Sequence, residues 1–186
     1  MSEDKKEKKP IWKRWWLWAI VILVLLIAAC SNGGNKATNN GGSSSTNSEA
    51  TTYGLNQEAP AGDLSFTVNS ITKKTTVGSG MFAKTSQSGT YVIVNVTIKN
   101  SGKDTVTVDS SLFLVTDNQD REFKYSTDGQ TALMATGNEN FFLKQINPGL
   151  SVTGDVVFEL PQDAAGLKFV GKAGVFSSKK ATINLE

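Results

Sequence analysis

Few residues in this 186-residue chain have the type and spacing that chemistry needs. The sharpest is Cys30, the only cysteine, which ends an apolar run from Trp15 to Ala29. A thiol there can accept an acyl chain, and the small residues Ala28 and Ala29 before it let the peptide bond enter a peptidase. After Cys30, Ser-x-x-Lys occurs twice, at Ser70 with Lys73 and at Ser177 with Lys180. That spacing supports nucleophilic catalysis when a helical turn stacks both side chains. Both pairs fall among strands and turns, where residues three apart point to opposite faces. Asp117, Asp120 and Glu122 form the densest acidic group after Cys30. Oxygen-rich loops bind calcium, but a hairpin turn, in which Asp and Asn accept backbone hydrogen bonds, is the expected use. The chain has no histidine, which removes Ser-His-Asp and Cys-His pairs and histidine-ligated metals. There is no CxxC pair and no glycine-rich phosphate loop before a helix. The expectation is a non-enzyme with no cofactor and no metal.

The elements that position Cys30 are legible around it. A basic head with Lys5, Lys6, Lys8, Lys9, Lys13 and Arg14 precedes the apolar run. Basic head, apolar stretch, small residues and cysteine resemble a bacterial lipoprotein signal peptide, with Ile27-Ala28-Ala29-Cys30 as the lipobox. The run would extend roughly 22 Å as a helix, short for a bilayer core of about 30 Å. The alternative is an uncleaved transmembrane helix, since Trp12, Trp15, Trp16 and Trp18 cluster as an interfacial aromatic belt would. Either way, the basic residues hold the N-terminus in the cytoplasm and the rest lies on the extracytoplasmic side of the cell membrane.

The net charge of +2 divides unevenly. Residues 1–30 hold six basic and three acidic side chains, and the remainder 13 and 14. The exported part is nearly neutral with scattered charges, which argues against nucleic acid or an anionic membrane surface as the main partner. Residues 31–62 read as a disordered linker, because 21 of the 32 are Gly, Asn, Ser or Thr. Such a coil would reach roughly 30 Å. Residues 63–186 make one domain, long enough for a single core.

That domain reads as antiparallel β throughout. Leu64, Phe66 and Val68 alternate with polar residues, as do Val92, Val94, Val96 and Ile98. Val152, Gly154, Val156, Phe158 and Leu160 give the cleanest period of two, with Val156 and Phe158 inward and Thr153 outward. Short strands are expected near 105–108, 112–115, 122–125, 141–146, 167–170 and 181–185, with Asn147-Pro148-Gly149 a tight turn. Only Gln130 to Thr136 suits a helical turn. The pattern indicates an all-β sandwich. Asn95-Val96-Thr97 fits a glycosylation sequon but lies mid-strand, and is taken as coincidence.

Three stretches then carry a family likeness: Tyr91 through Gly102, Phe142 through Gly149, and Val156 through Pro161. They resemble, in order, the signature segments of the domain of unknown function 4352 family. The resemblance covers about residues 63–186. It implies an immunoglobulin-like (telokin-like) antiparallel β-sandwich of the kind found in bacterial surface lipoproteins. It brings no catalytic or ligand residues.

One pair remains. Met81-Phe82 sits in a long glycine-punctuated connection over 75–90. It either contacts a partner or folds back to cap the sandwich core, the commoner fate of such pairs. The expected protein is a membrane-tethered binding module for an unknown protein or cell-wall partner. A structural or protective envelope protein is the alternative, and an enzyme using Ser-Lys or carboxylates a distant third.

Overall fold

The computed structural model describes residues 51–174 and 177–186. The signal or anchor segment, Cys30 and linker residues 31–50 lie outside the described residues. In chain order the first strands are β1 (Thr52–Tyr53), β2 (Ala59–Ala61), β3 (Leu64–Lys74), β4 (Thr76–Val77), β5 (Lys84–Thr85) and β6 (Gly89–Asn100). Then come β7 (Val106–Thr107), β8 (Phe113–Thr116), β9 (Glu122–Phe123) and one helix, α1 (Thr127–Met134). The chain closes with β10 (Gln145–Ile146), β11 (Ser151–Pro161), β12 (Lys168–Lys172) and β13 (Lys180–Asn184).

A four-stranded sheet, β11-β6-β3-β2, faces a five-stranded sheet, β1-β13-β12-β8-β9. Period-two patterning decides what lies between them. Phe66, Val68, Val94, Val96, Val156 and Phe158 come from the first sheet, and Phe113, Val115, Phe169 and Ile183 from the second; all are buried in one cluster. Phe66 meets Phe113 edge-on at 6.4 Å and Phe169 at 6.3 Å across the interface. Gly171 on β12 makes that approach feasible, since a Cβ there would lie 2.5 Å from the Phe66 ring. Asn100, wholly buried at the end of β6, joins two turns. Its side chain donates to Asp104 O at 2.7 Å and Ile146 O at 2.9 Å, while its backbone carbonyl accepts from Gly149 N at 2.8 Å.

The expected all-β sandwich is therefore found; its helix runs over the eight residues Thr127–Met134 rather than as a turn over Gln130 to Thr136, and there are four further differences. The folded region begins before residue 63. Thr52–Tyr53 pairs with β13, and Ala59 and Ala61 are buried opposite Phe66 and Leu64. A few apolar residues do this work inside a stretch whose average composition is that of a linker. The β1–β13 pairing is parallel, an exception to the antiparallel rule. Strands β3, β6 and β11 run to 11 or 12 residues, longer than the alternating stretches read within them. Of 141–146 only Gln145–Ile146 is strand, because Phe141 turns inward off the ladder and packs against Gly154.

Candidate contact surface

The outer face of the four-stranded sheet holds the features that the core does not need. Register places Thr67, Thr97 and Thr153 in one cross-strand row and Ser70, Asn95 and Asp155 in the next. Thr72, Ile93 and Val157 follow, then Lys74, Tyr91 and Glu159. A bulge between Val68 and Ser70 inserts Asn69 as an extra residue. Its amide donates to Asn95 Oδ1 at 2.8 Å and to Thr97 Oγ1 at 2.9 Å. Asn95 in turn donates to Asp155 Oδ1 at 2.6 Å, and the Thr97 and Thr153 hydroxyls lie 2.8 Å apart. The Asn69–Asn95 chain of amides ends on a carboxylate beside an open depression of about 350 Å³, which Ser70, Lys74 and Asn138 also line.

The neighbouring half of the same face is sealed. Ser126 caps α1 by accepting from Gly129 N at 3.2 Å, and Asp128 in the first turn suits the positive end of the helix. Ala132 and Leu133 lie over Tyr91, Ile93 and Val157, with Val77 beside them, in a second small apolar cluster. Gly129 has no room for a side chain, since a Cβ would stand 2.7 Å from Val157 and 3.0 Å from Tyr91. Gln130 fastens the helix to the sheet edge. Its Nε2 donates to Asp155 O at 3.0 Å and its Oε1 accepts from Val157 N at 3.0 Å, as a partner strand would. Burial pushes the Tyr91 phenol up from its ordinary range, and the nearby Glu159 and Asp128 carboxylates add to this.

The β4–β5 hairpin stands on this sealed half. Ser86 ties its foot down, donating through its backbone to Thr75 O at 2.9 Å and through its hydroxyl to Glu159 Oε1 at 2.6 Å. The Thr76 and Thr85 hydroxyls meet at 2.9 Å across the ladder. Gly78 has φ +80°, and a Cβ there would lie 2.7 Å from Phe82 O and 2.9 Å from Ala132 O, so only glycine fits. Beyond it a 3₁₀ turn, Gly80–Phe82, forms the tip, with none of its residues buried. Met81 is 90% exposed and Phe82 54%. The expectation that this pair caps the core is overturned: Val77, one strand earlier, supplies the buried contact, while Met81 stands in water and Phe82 is about half exposed.

The other candidates are used internally or lie apart. Asp117 is buried within its turn. Its Oδ1 accepts from Gln119 N and Arg121 N, both at 3.0 Å, and its Oδ2 from Arg121 Nε at 2.7 Å. Burial alone would raise this carboxyl, but the Arg121 guanidinium and the two backbone N–H groups outweigh it and hold it below the usual range. Asp120 and Glu122 are exposed, and among the described residues no group of acidic side chains is placed to hold a metal ion. Lys73 pairs with Glu186 at 3.2 Å, and the Ser177 hydroxyl accepts from Lys179 N at 3.1 Å, so neither Ser-x-x-Lys match sits on a helix or forms a pair. Asn95 of the sequon is committed to the amide chain. Leu143 escaped the sequence reasoning. It is 74% exposed at φ +66°, a strained setting for leucine, beside an apolar depression of about 290 Å³ lined by Val108, Tyr125, Met134 and Phe142.

Comparison with known proteins follows the same outline. The family described as Domain of unknown function (DUF4352) matches residues 53–182. No curated protein matches the chain. Among solved structures, yjhA from Bacillus subtilis is 18% identical with a TM-score of 0.54, covering 73% of this chain and all of its own. The ycdA protein of Bacillus subtilis, provisionally designated a lipoprotein, is 18% identical with a TM-score of 0.53. That match covers 69% of this chain but only 38% of ycdA. A conserved hypothetical protein from Bacillus anthracis is 14% identical with a TM-score of 0.51, covering 69% of this chain and 94% of its own. At these identities the likeness is one of fold.

Proposed function

The chain belongs to the DUF4352 family, and on that premise we propose that it is a membrane-tethered, non-catalytic contact module on the extracytoplasmic side. One observation carries this reading. Two large apolar side chains, Met81 and Phe82, stand in water at the tip of a hairpin whose foot is fixed by hydrogen bonds and by the buried Val77. Exposed apolar side chains on a rigid scaffold are suited to recognition rather than stability. The tether is supported by the basic head, short apolar run and Cys30, and the ycdA designation agrees with it. The absence of a paired nucleophile and base at either Ser-x-x-Lys match supports the non-catalytic part.

Two variants test the reading together. Cys30→Ala should lose label when cells are fed a tagged fatty acid, and equal label in wild type and variant would replace the lipid with an uncleaved helix. Met81→Ser with Phe82→Ser should leave the melting temperature unchanged, because neither side chain is buried, while capture of envelope components by the protein falls. Unchanged capture would turn the assignment toward a structural or protective envelope protein.

A further inference from the structure

The domain over 63–186 holds 12 basic and 12 acidic side chains, yet its neutrality is not uniform. Residues 73–88, which make up the end of β3 and the whole hairpin, carry Lys73, Lys74 and Lys84 and no acidic residue. Lys73 is paired with Glu186, whereas Lys74 and Lys84 form no ion pair among the described residues. Lys84 stands one residue beyond the tip, after Ala83, and lies opposite Val77 in the hairpin ladder. Glu159, the acidic group at the hairpin's foot, is occupied by the Ser86 hydroxyl. An apolar pair at the apex with lysines behind it is the arrangement of a segment that enters the headgroup layer of a membrane. The apolar atoms leave water and the ammonium groups stay among lipid phosphates.

We propose that the Met81-Phe82 tip docks on the anionic lipid surface to which the chain itself is tethered. This rests on the tether reading above. The length of chain outside the structure argues for that occupant. About 20 residues separate Cys30 from β1, a length that keeps the domain within a few tens of ångströms of its anchor. A tip held so near a membrane meets it at high effective concentration, so two side chains and two lysines suffice for a contact too weak to form between free partners. The tip is convex, which suits a fluid surface that closes around it. The near-neutral total charge argued against a membrane partner; the contact proposed here needs only the unpaired Lys84 beside the tip and Lys74 at the hairpin's base, with Glu159 held by the Ser86 hydroxyl.

The test uses the full chain isolated from membranes with the acyl group on Cys30 retained, reconstituted in vesicles of phosphatidylcholine with phosphatidylglycerol; a chain with no added cysteine gives the background label from Cys30. A fluorophore is placed at Ser79→Cys beside the tip or at Gln119→Cys on the β8–β9 turn, and the vesicles carry a shallow nitroxide-labelled lipid. Quenching is expected at position 79 and not at 119. It should fall to the level of the 119 control with Met81→Ser plus Phe82→Ser, with Lys74→Glu plus Lys84→Glu, and in vesicles of phosphatidylcholine alone. The altered side chains are exposed, and unchanged thermal melts verify that each variant is folded. If the protein floats with the vesicles but position 79 is not quenched, or quenching survives the tip variants, docking is wrong while the tether stands. If the protein does not float with the vesicles at all, both are wrong.

Discussion

The outer face of the four-stranded sheet is two surfaces side by side on the same strands. On β11, Thr153 is exposed in the polar row and Asp155 faces the open depression, while Val157, two residues on, lies under α1 and is wholly buried. On β6, Asn95 and Thr97 join the polar chain, and Ile93 and Tyr91 are sealed. The difference teaches that strand alternation assigns a residue to a face but does not say what lies over that face. The open half satisfies its polar groups laterally, strand to strand. The sealed half is apolar because a helix and a hairpin foot cover it, and the exposed tip is the far end of that cover.

The sharpest way to break the comparison is a charge in each half of one strand. Val157→Asp should cost about 3 kcal/mol or more, close to Val156→Asp on the inner face, because both bury an unpaired charge. Thr153→Asp should change stability by about 0.5 kcal/mol or less. Denaturant melts of the three variants decide the matter, and a Val157 variant as mild as the Thr153 one would mean that α1 does not cover this face. Gln130→Ala should come next, at about 2 kcal/mol, since it leaves Val157 N and Asp155 O without partners. Equal stability of Gln130→Ala and wild type would show that the amide is not a structural clamp. The smallest effect is alkaline. The raised phenol of Tyr91 favours the folded state fully below the unfolded tyrosine pKa of about 10. That contribution is lost as pH rises through the folded value. Tyr91→Phe should therefore flatten the decline in melting temperature above about pH 10, and an unchanged decline would assign it to other groups.

How much of this was legible in the sequence depends on whether the signal was local. The inward sets of β3, β6 and β11 were readable because alternation follows directly from the pleat, and Val156, Phe158 and Thr153 fall as expected. Val157 carries a trace of the second cover, since three buried residues in a row break period two, but nothing local says which element supplies it. The start of the fold was hidden because Tyr53, Ala59 and Ala61 are sparse among polar residues, and their burial is decided by partners far along the chain. Of the candidate residues, the acidic turn was anticipated as a hairpin from Asp117 and its neighbours. The fate of Met81-Phe82 was not, because composition cannot tell a pair that folds inward from one whose inward role has passed to Val77. The Asn69 amide chain depends on a bulge, whose one mark in the sequence is the slip in apolar spacing from Val68 to Ile71; that slip does not say which groups the extra side chain reaches.

Gln130 has a consequence beyond the stability of one copy. Proteins concentrated on a surface meet neighbours constantly, and an unpaired strand at the rim of a sheet is a template for the next copy. By filling two backbone positions of β11 with its own amide, the chain occupies part of that rim with a side chain that cannot propagate. One glutamine thus shortens the stretch of β11 on which a second copy could add a strand.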